Sequence, residues 1–155
     1  MSMRHVVCWL LIASTASVAG TGALSLKVTA LDASVKGGAK IMIRVTTSNE
    51  SDHPITYHNT STYCDYSVKV LTSAGALAPE TPFKKQMGDC SGGELRITGR
   101  NIVVTLKPGE SNSEQIEITE LYNMTASGEY SVQVERIFSD IGHFRSNAVS
   151  VRVTQ

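Results

Sequence analysis

Between Leu106 and Val134 the chain reads LKPGESNSEQIEITELYNMTASGEYSVQV, and this stretch leaves few folds open. Pro108 presets its own φ and Gly109 tolerates a positive one, so a chain reversal belongs there. Behind the turn, Ile116 and Ile118 alternate with polar neighbours and predict a strand. A small-residue bend ending at Gly128 then makes a corner, and Tyr130 stands at the head of a further alternation with Val132 and Val134. A tyrosine so placed can send its hydroxyl back to the upstream backbone and fix the corner. The unit specifies antiparallel β structure and names no chemistry.

The same alternation recurs along the chain. Leu24, Leu26 and Val28 form one apolar face; Ile41, Ile43 and Val45 form a second, after the Lys36-Gly37-Gly38 turn that is expected to join the first two strands. Ile55 to Tyr57, Ser67 to Leu71, Asn101 to Leu106, Glu129 to Ile137 and Asn147 to Val153 continue the series, and Asp140 to His143 reads as the hairpin tip between the last two. About seven short strands with turn signals between them predict an all-β, immunoglobulin-like two-sheet sandwich, with Gly128 and Tyr130 as its corner. Two segments fall outside the pattern. Asn49 to Asn59 reads as a polar loop. Ala74 to Arg100, with Pro79, Pro82, Lys84, Lys85, Asp89 and Gly92-Gly93, is longer than an unstructured connection normally is, so it is either a tethered insertion or a presented binding loop.

Residues 1–23 have the form of a secretory signal. Arg4 and His5 make a short basic head, Val6 to Ala19 an apolar run, and Ser17-Val18-Ala19 and Thr21-Gly22-Ala23 each offer small residues for cleavage. The apolar run is shorter than the roughly 20 residues needed to span a bilayer, and no later segment approaches that length, so no membrane span is expected after cleavage. Residues 24–155 are then one domain. Without Arg4 the balance is 13 Lys and Arg against 14 Asp and Glu, a formal charge of −1 with both signs mixed. Such a surface argues against nucleic acid or an anionic membrane as the main partner.

The predicted compartment is extracellular or periplasmic, and there Cys64 and Cys90 are expected to pair. The competing reading, two metal-binding thiolates, lacks the close spacing of such sites. The only tryptophan, Trp9, lies in the signal, and Val132 stands where a second core cysteine would fall, so the disulfide is expected to pin the long insert and not to join the sheets.

Little in the sequence points to catalysis. Gly88-Asp89-Cys90-Ser91-Gly92-Gly93 resembles the run around the nucleophile of trypsin-like proteases, but a cysteine interrupts it and the catalytic histidine segment is missing. Cys64 with His53 or His58 would be a thiol and imidazole pair only if the disulfide did not form. His53, His58 and Asp65 lack the spacing of a metal site, so these histidines are expected to face solvent. No zincin, nucleophile-elbow, phosphate-loop or calcium-loop motif occurs, and no cofactor or metal is expected. Asn49, Asn59 and Asn123 each open a glycosylation sequon, relevant only in a glycosylating host.

Leu106 to Ser111, Leu121 to Thr125 and Ser127 to Val132 together resemble the β-sandwich pro-region that precedes the catalytic domain of deuterolysin-type and peptidyl-Lys zinc metalloendopeptidases. The likeness covers about thirty residues closely, and Leu24 to Thr29 and Thr46 to Asn49 more loosely. It concerns fold, and the zinc domain that follows in that family has no counterpart before Gln155. The resemblance implies an inhibitor, a chaperone for a separate partner, or a reused adhesion domain. The expected function is therefore a secreted, non-enzymatic module that binds another extracellular or envelope protein, through a loop bearing Lys84, Lys85 and Asp89 or through a sheet edge. The alternatives are a protease-inhibitor or pro-region-like factor and a structural envelope component; the oligomeric state is left open.

Overall fold

Leu24, Leu26 and Val28 alternate with outward-facing residues and are buried, and the same period repeats at Ile43 and Val45, at Val68 and Val70, and at Val132 and Val134. These inward faces meet as the two layers of a sandwich in the computed structural model, which describes residues 23–88, 90 and 101–155. The elements in chain order are β1 (Leu24–Ala30), β2 (Ser34–Lys36), β3 (Met42–Asn49), β4 (Ile55–Asn59), α1 (Thr62–Asp65), β5 (Ser67–Thr72), α2 (Pro82–Met87), β6 (Ile102–Leu106), β7 (Ser111–Glu117), α3 (Ile118–Leu121), β8 (Gly128–Phe138) and β9 (Gly142–Thr154). One sheet has the order β1-β3-β7, the facing sheet β2-β9-β8-β5, and β4 pairs with β6. The chain is thus an all-β, immunoglobulin-like sandwich.

The β4 and β6 pair continues β3 and β7 beyond a bend. The antiparallel register runs from Met42 opposite Glu117 to Ser48 opposite Ser111, and resumes at Ile55 opposite Leu106. Asn49 holds the bend. Its amide nitrogen donates to the carbonyls of His53 (2.8 Å) and Leu106 (2.9 Å), and its side-chain oxygen accepts from the Ser51 backbone N–H (2.9 Å) and hydroxyl (2.7 Å). Since the side chain is buried, Asn49→Ala takes the donor from the Leu106 carbonyl in a place water reaches poorly and leaves the Ser51 N–H and hydroxyl without their shared acceptor, while the exposed His53 carbonyl keeps the Ser51 hydroxyl. The expected cost is about 2–3 kcal/mol in a urea titration, and an unchanged midpoint would show that the bend holds itself.

The corner before β8 has the geometry of a tyrosine lock. Gly128 adopts φ +153°, a conformation L-residues avoid, and the Tyr130 hydroxyl donates to the Ala126 carbonyl at 2.9 Å. Tyr130→Phe removes only that bond, with an expected loss of about 1 kcal/mol, read as a lower thermal midpoint.

Several expectations need correction. The first two long strands are not joined by the glycine turn alone: β2 lies between them, crosses to the other sheet and pairs parallel with β9, from Ser34 opposite Arg152 to Lys36 opposite Thr154. Ile118 does not extend a strand; it opens the helical turn α3, where Ile118 and Leu121, three residues apart, are both buried. The strand expected at Ile55 to Tyr57 is present as β4 and runs on to Asn59 with Ile55, Tyr57 and Asn59 turned inward, so Asn49 to Asn59 is not a loop throughout. The long insert contains α2. The last strand begins at Gly142, so His143 belongs to it and the hairpin tip lies at Ser139–Ile141. Residues 1–22 of the proposed signal, 1–23, lie outside the described residues, as do Asp89 and residues 91–100. Among the described residues no helix is long and apolar enough to cross a membrane.

Candidate functional site

On β8 the inward positions are Tyr130, Val132, Val134, Arg136 and Phe138, and one of them carries a charge. Arg136 is 4% exposed. A guanidinium cannot be deprotonated to escape burial, so its donors and charge have to be met by neighbours. One terminal nitrogen donates to the His58 carbonyl (2.9 Å) and the Asn59 side-chain oxygen (2.8 Å), the other to the Tyr66 hydroxyl (3.1 Å). Asp65 and Glu114 each bring a carboxylate oxygen within 3.9 Å. Aromatic rings enclose the rest, with the guanidinium carbon 4.3 Å from the Phe138 ring centre, 4.8 Å from Tyr66 and 5.2 Å from Tyr57. Arg136 therefore ties β4, α1, β7 and β8 together where the sandwich core ends.

Beside it an open groove of about 700 Å³ lies between β4 and the end of β8, with Thr56, His58, Asp65, Glu135, Ile137 and Asp140 among its walls. It exists because β5 begins only at Ser67, opposite Glu135, leaving the last residues of β8, Arg136 to Phe138, paired with β9 alone. On its rim Glu135 accepts from Arg145 (2.6 Å) and faces the His143 ring (3.0 Å).

Burial and the hydrogen bond to Glu114 hold the Tyr66 phenol well above the ordinary tyrosine range, and burial raises Tyr57 and Tyr122 as well. A raised folded-state pKa adds stability that is complete below the unfolded value, 10.0, and is lost as pH climbs through the folded value. Stability is thus expected to be insensitive to these groups below about pH 10 and to fall steeply above it. An alkaline denaturation series checks this, with Tyr66→Phe expected to flatten the limb.

The second region is the insert. Cys64, in α1, is bonded to Cys90, just past α2, with Cα atoms 5.6 Å apart, so the disulfide fastens the insert to the connection between β4 and β5. Thr81 caps α2 by accepting from the Lys84 N–H (3.2 Å), its own N–H donates to the Leu121 carbonyl (3.0 Å), and Pro82 opens the helix. Met87 is buried, and the Phe83 ring meets Tyr63 edge-on at 5.5 Å while the Tyr63 hydroxyl donates to Glu120. Lys85 is exposed and Lys84 half-buried on this helix. A cleft of about 370 Å³ between α1 and α2 is lined by Tyr63, Cys64, Glu80, Lys84 and Lys85. Cys64 and Ser67 border this cleft and the Arg136 groove alike, so α1 separates the two.

The other sequence candidates are scattered. His53 faces Asp52, His58 faces Asn101 and His143 faces Glu135, all exposed. Among the described residues no three His, Cys, Asp or Glu side chains come together as a metal site. Asn49 and Asn59 are buried; the Asn49 amide nitrogen is engaged by two carbonyls, and the Asn59 side-chain oxygen accepts from Arg136. Asn123 is exposed, its oxygen accepting from the Thr125 N–H and hydroxyl. Arg136 is the residue that motif reasoning overlooked. Its signal was a charge in the inward phase of an apolar alternation.

No protein-family model and no curated protein matches the chain. Among solved structures, it is similar to the CARDB domain of a Pyrococcus furiosus protein in complex with di-metal ions, at 13% identity and a TM-score of 0.40, over 84% of this chain and 87% of that one. It is similar to the sporulation control protein Spo0M of Bacillus subtilis at 10% identity and a TM-score of 0.46, covering 86% of this chain and 50% of that one. A Listeria innocua β-glucosidase in complex with glucose matches at 16% identity and a TM-score of 0.44, covering 87% of this chain and only 16% of the enzyme.

Proposed function

We propose that the chain is a secreted, non-catalytic recognition module that binds another extracellular or envelope protein through the face built by α1 and α2. The observation that supports this most is the state of the insert. Its described part, around α2, reaches the surface at Lys85, yet a disulfide, a capped helix, a buried methionine and an aromatic pair all fix it. A surface ordered in advance loses little entropy when a partner docks, and Lys84 and Lys85 give it a positive side suited to an acidic patch. The test is capture from the native extracellular fraction by the 24–155 domain beside a Lys84→Glu, Lys85→Glu variant. One partner, held in stoichiometric amount by the first bait and lost by the second, is the expected result. Equal capture by both would move the contact surface elsewhere, and no specific partner for either would sink the recognition reading.

The pro-region resemblance supports a narrower version, in which the partner is a secreted peptidase. Its residues take in the end of β6, the turn to β7, the end of α3 with the segment after it, and the Tyr130 corner, and they lie next to the insert through the Thr81 and Leu121 hydrogen bond. A peptidase recovered in the same capture, and inhibited by the purified domain, is what this version requires.

A further inference from the structure

We propose that β6 is a self-pairing edge, through which two copies of this chain associate in antiparallel register about Val104. An edge strand offers unpaired N–H and C=O groups to any passing strand, and sheet proteins normally blunt such edges. Here the other edges are blunted. Asn147 closes β1 by accepting from the Val28 N–H (2.9 Å) and donating to the Val28 carbonyl (3.1 Å). The outer edge of β5 is covered by the returning chain, with Ala78 donating to the Val70 carbonyl and Thr72 to the Ala76 carbonyl. β2 is three residues long and carries Lys36, β7 carries Glu114 and Glu117, and the free side of β4 has its His58 carbonyl capped by Arg136. β6 reads Ile-Val-Val-Thr-Leu, with neither charge nor proline, and among the described residues β4 is its only strand partner. Ile102 is 50% exposed and Val103 60%.

The hydrogen-bonding phase fits self-pairing. Because the His58 carbonyl points away from β6 to Arg136, the opposed pair His58 and Val103 is of the non-hydrogen-bonded kind, as is Thr56 with Thr105, whose hydroxyls meet at 2.9 Å. The backbone groups of Val103 and Thr105 therefore face outward. About a two-fold axis at Val104, Val103 of one copy exchanges both its bonds with the partner's Thr105, and the reverse. Ile102 lies across from the partner's Leu106, and no like charges are opposed, which is the usual bar to a strand pairing with itself. The short edge makes this a weak, concentration-dependent dimer.

Sedimentation equilibrium of the 24–155 domain tests it, with Val103→Lys as the blunted edge and Val103→Thr as an uncharged control of the same shape. The wild type is expected to rise from monomer toward dimer mass with concentration, Val103→Thr to follow it, and Val103→Lys to dissociate at least about tenfold more readily. Amide exchange at Val103 and Thr105 is expected to slow as the wild type is concentrated. A wild type that stays monomeric at millimolar concentration, or a dimer indifferent to Val103→Lys, overturns the proposal.

Discussion

Arg136→Ala is expected to cost about 3–5 kcal/mol, which is the range for removing one member of a buried charged cluster and a large share of the total stability of a domain this size. The loss has several parts that act together. The Tyr66 hydroxyl and the Asn59 oxygen lose a donor, the His58 carbonyl is left facing the groove, and Asp65 and Glu114 lose their common cation. Three aromatic rings lose the flat group they pack on. Arg136→Lys keeps the charge but gives up the planar fork, so one ammonium cannot reach Tyr66, His58 and Asn59 in the same geometry. Arg136→Met restores apolar volume and leaves the polar partners unmet. Urea titrations should therefore place both between the wild type and alanine. A lysine variant as stable as wild type would show that charge alone matters, and an alanine variant within about 1 kcal/mol of wild type would show that the cluster is incidental to the fold.

Arg136 also shows what could be read from the residues alone. The period-two phase of β8 places it inward with Val132, Val134 and Phe138, so its burial was legible. Its partners were not, because Asn59, Tyr66 and Glu114 come from separate elements, and only the fold brings them to one point. Asn49 teaches the same lesson in reverse. It was read as the start of a polar loop, yet Ile43, Val45, Thr47 and Asn49 share one face of β3, and that phase buries the asparagine. At Ile118 both periods were satisfied, since a strand from Ile116 and a helical turn to Leu121 would each bury it; the helical turn is what the fold contains. The three-residue β2 is too short to carry a period of its own, and the parallel pairing that defines it depends on β9, over a hundred positions away. The insert was legible as a tethered segment from its cysteines and length, but α2 was hidden between prolines and glycines that read as loop.

Replacing Cys64 and Cys90 by serine is expected to lower stability by about 3.5 kcal/mol while leaving the sandwich folded, the figure being the chain-entropy value for a loop of 26 residues. The entropy argument concerns the unfolded chain, whose freedom the bridge restricts, so the loss should appear without rearrangement of the sheets. The location of the bridge supports that separation. It joins α1 to the end of α2, whereas the fully buried residues Val28, Ile43, Val45, Val70, Val132, Val134 and Val151 lie between the sheets and owe nothing to it. Thr81, Phe83 and Met87 also anchor the insert, so α2 should remain docked and become easier to open. The expected signature is a lower urea midpoint with a somewhat steeper slope, because the unbridged unfolded chain exposes more surface, together with retained β circular dichroism and faster amide exchange confined to Pro82–Met87 and its surroundings. Loss of the whole β signal would mean that the bridge holds the sandwich itself. No change in α2 exchange would mean that the side-chain anchors alone order the proposed recognition face, and the case for a disulfide-set binding surface would fall with it.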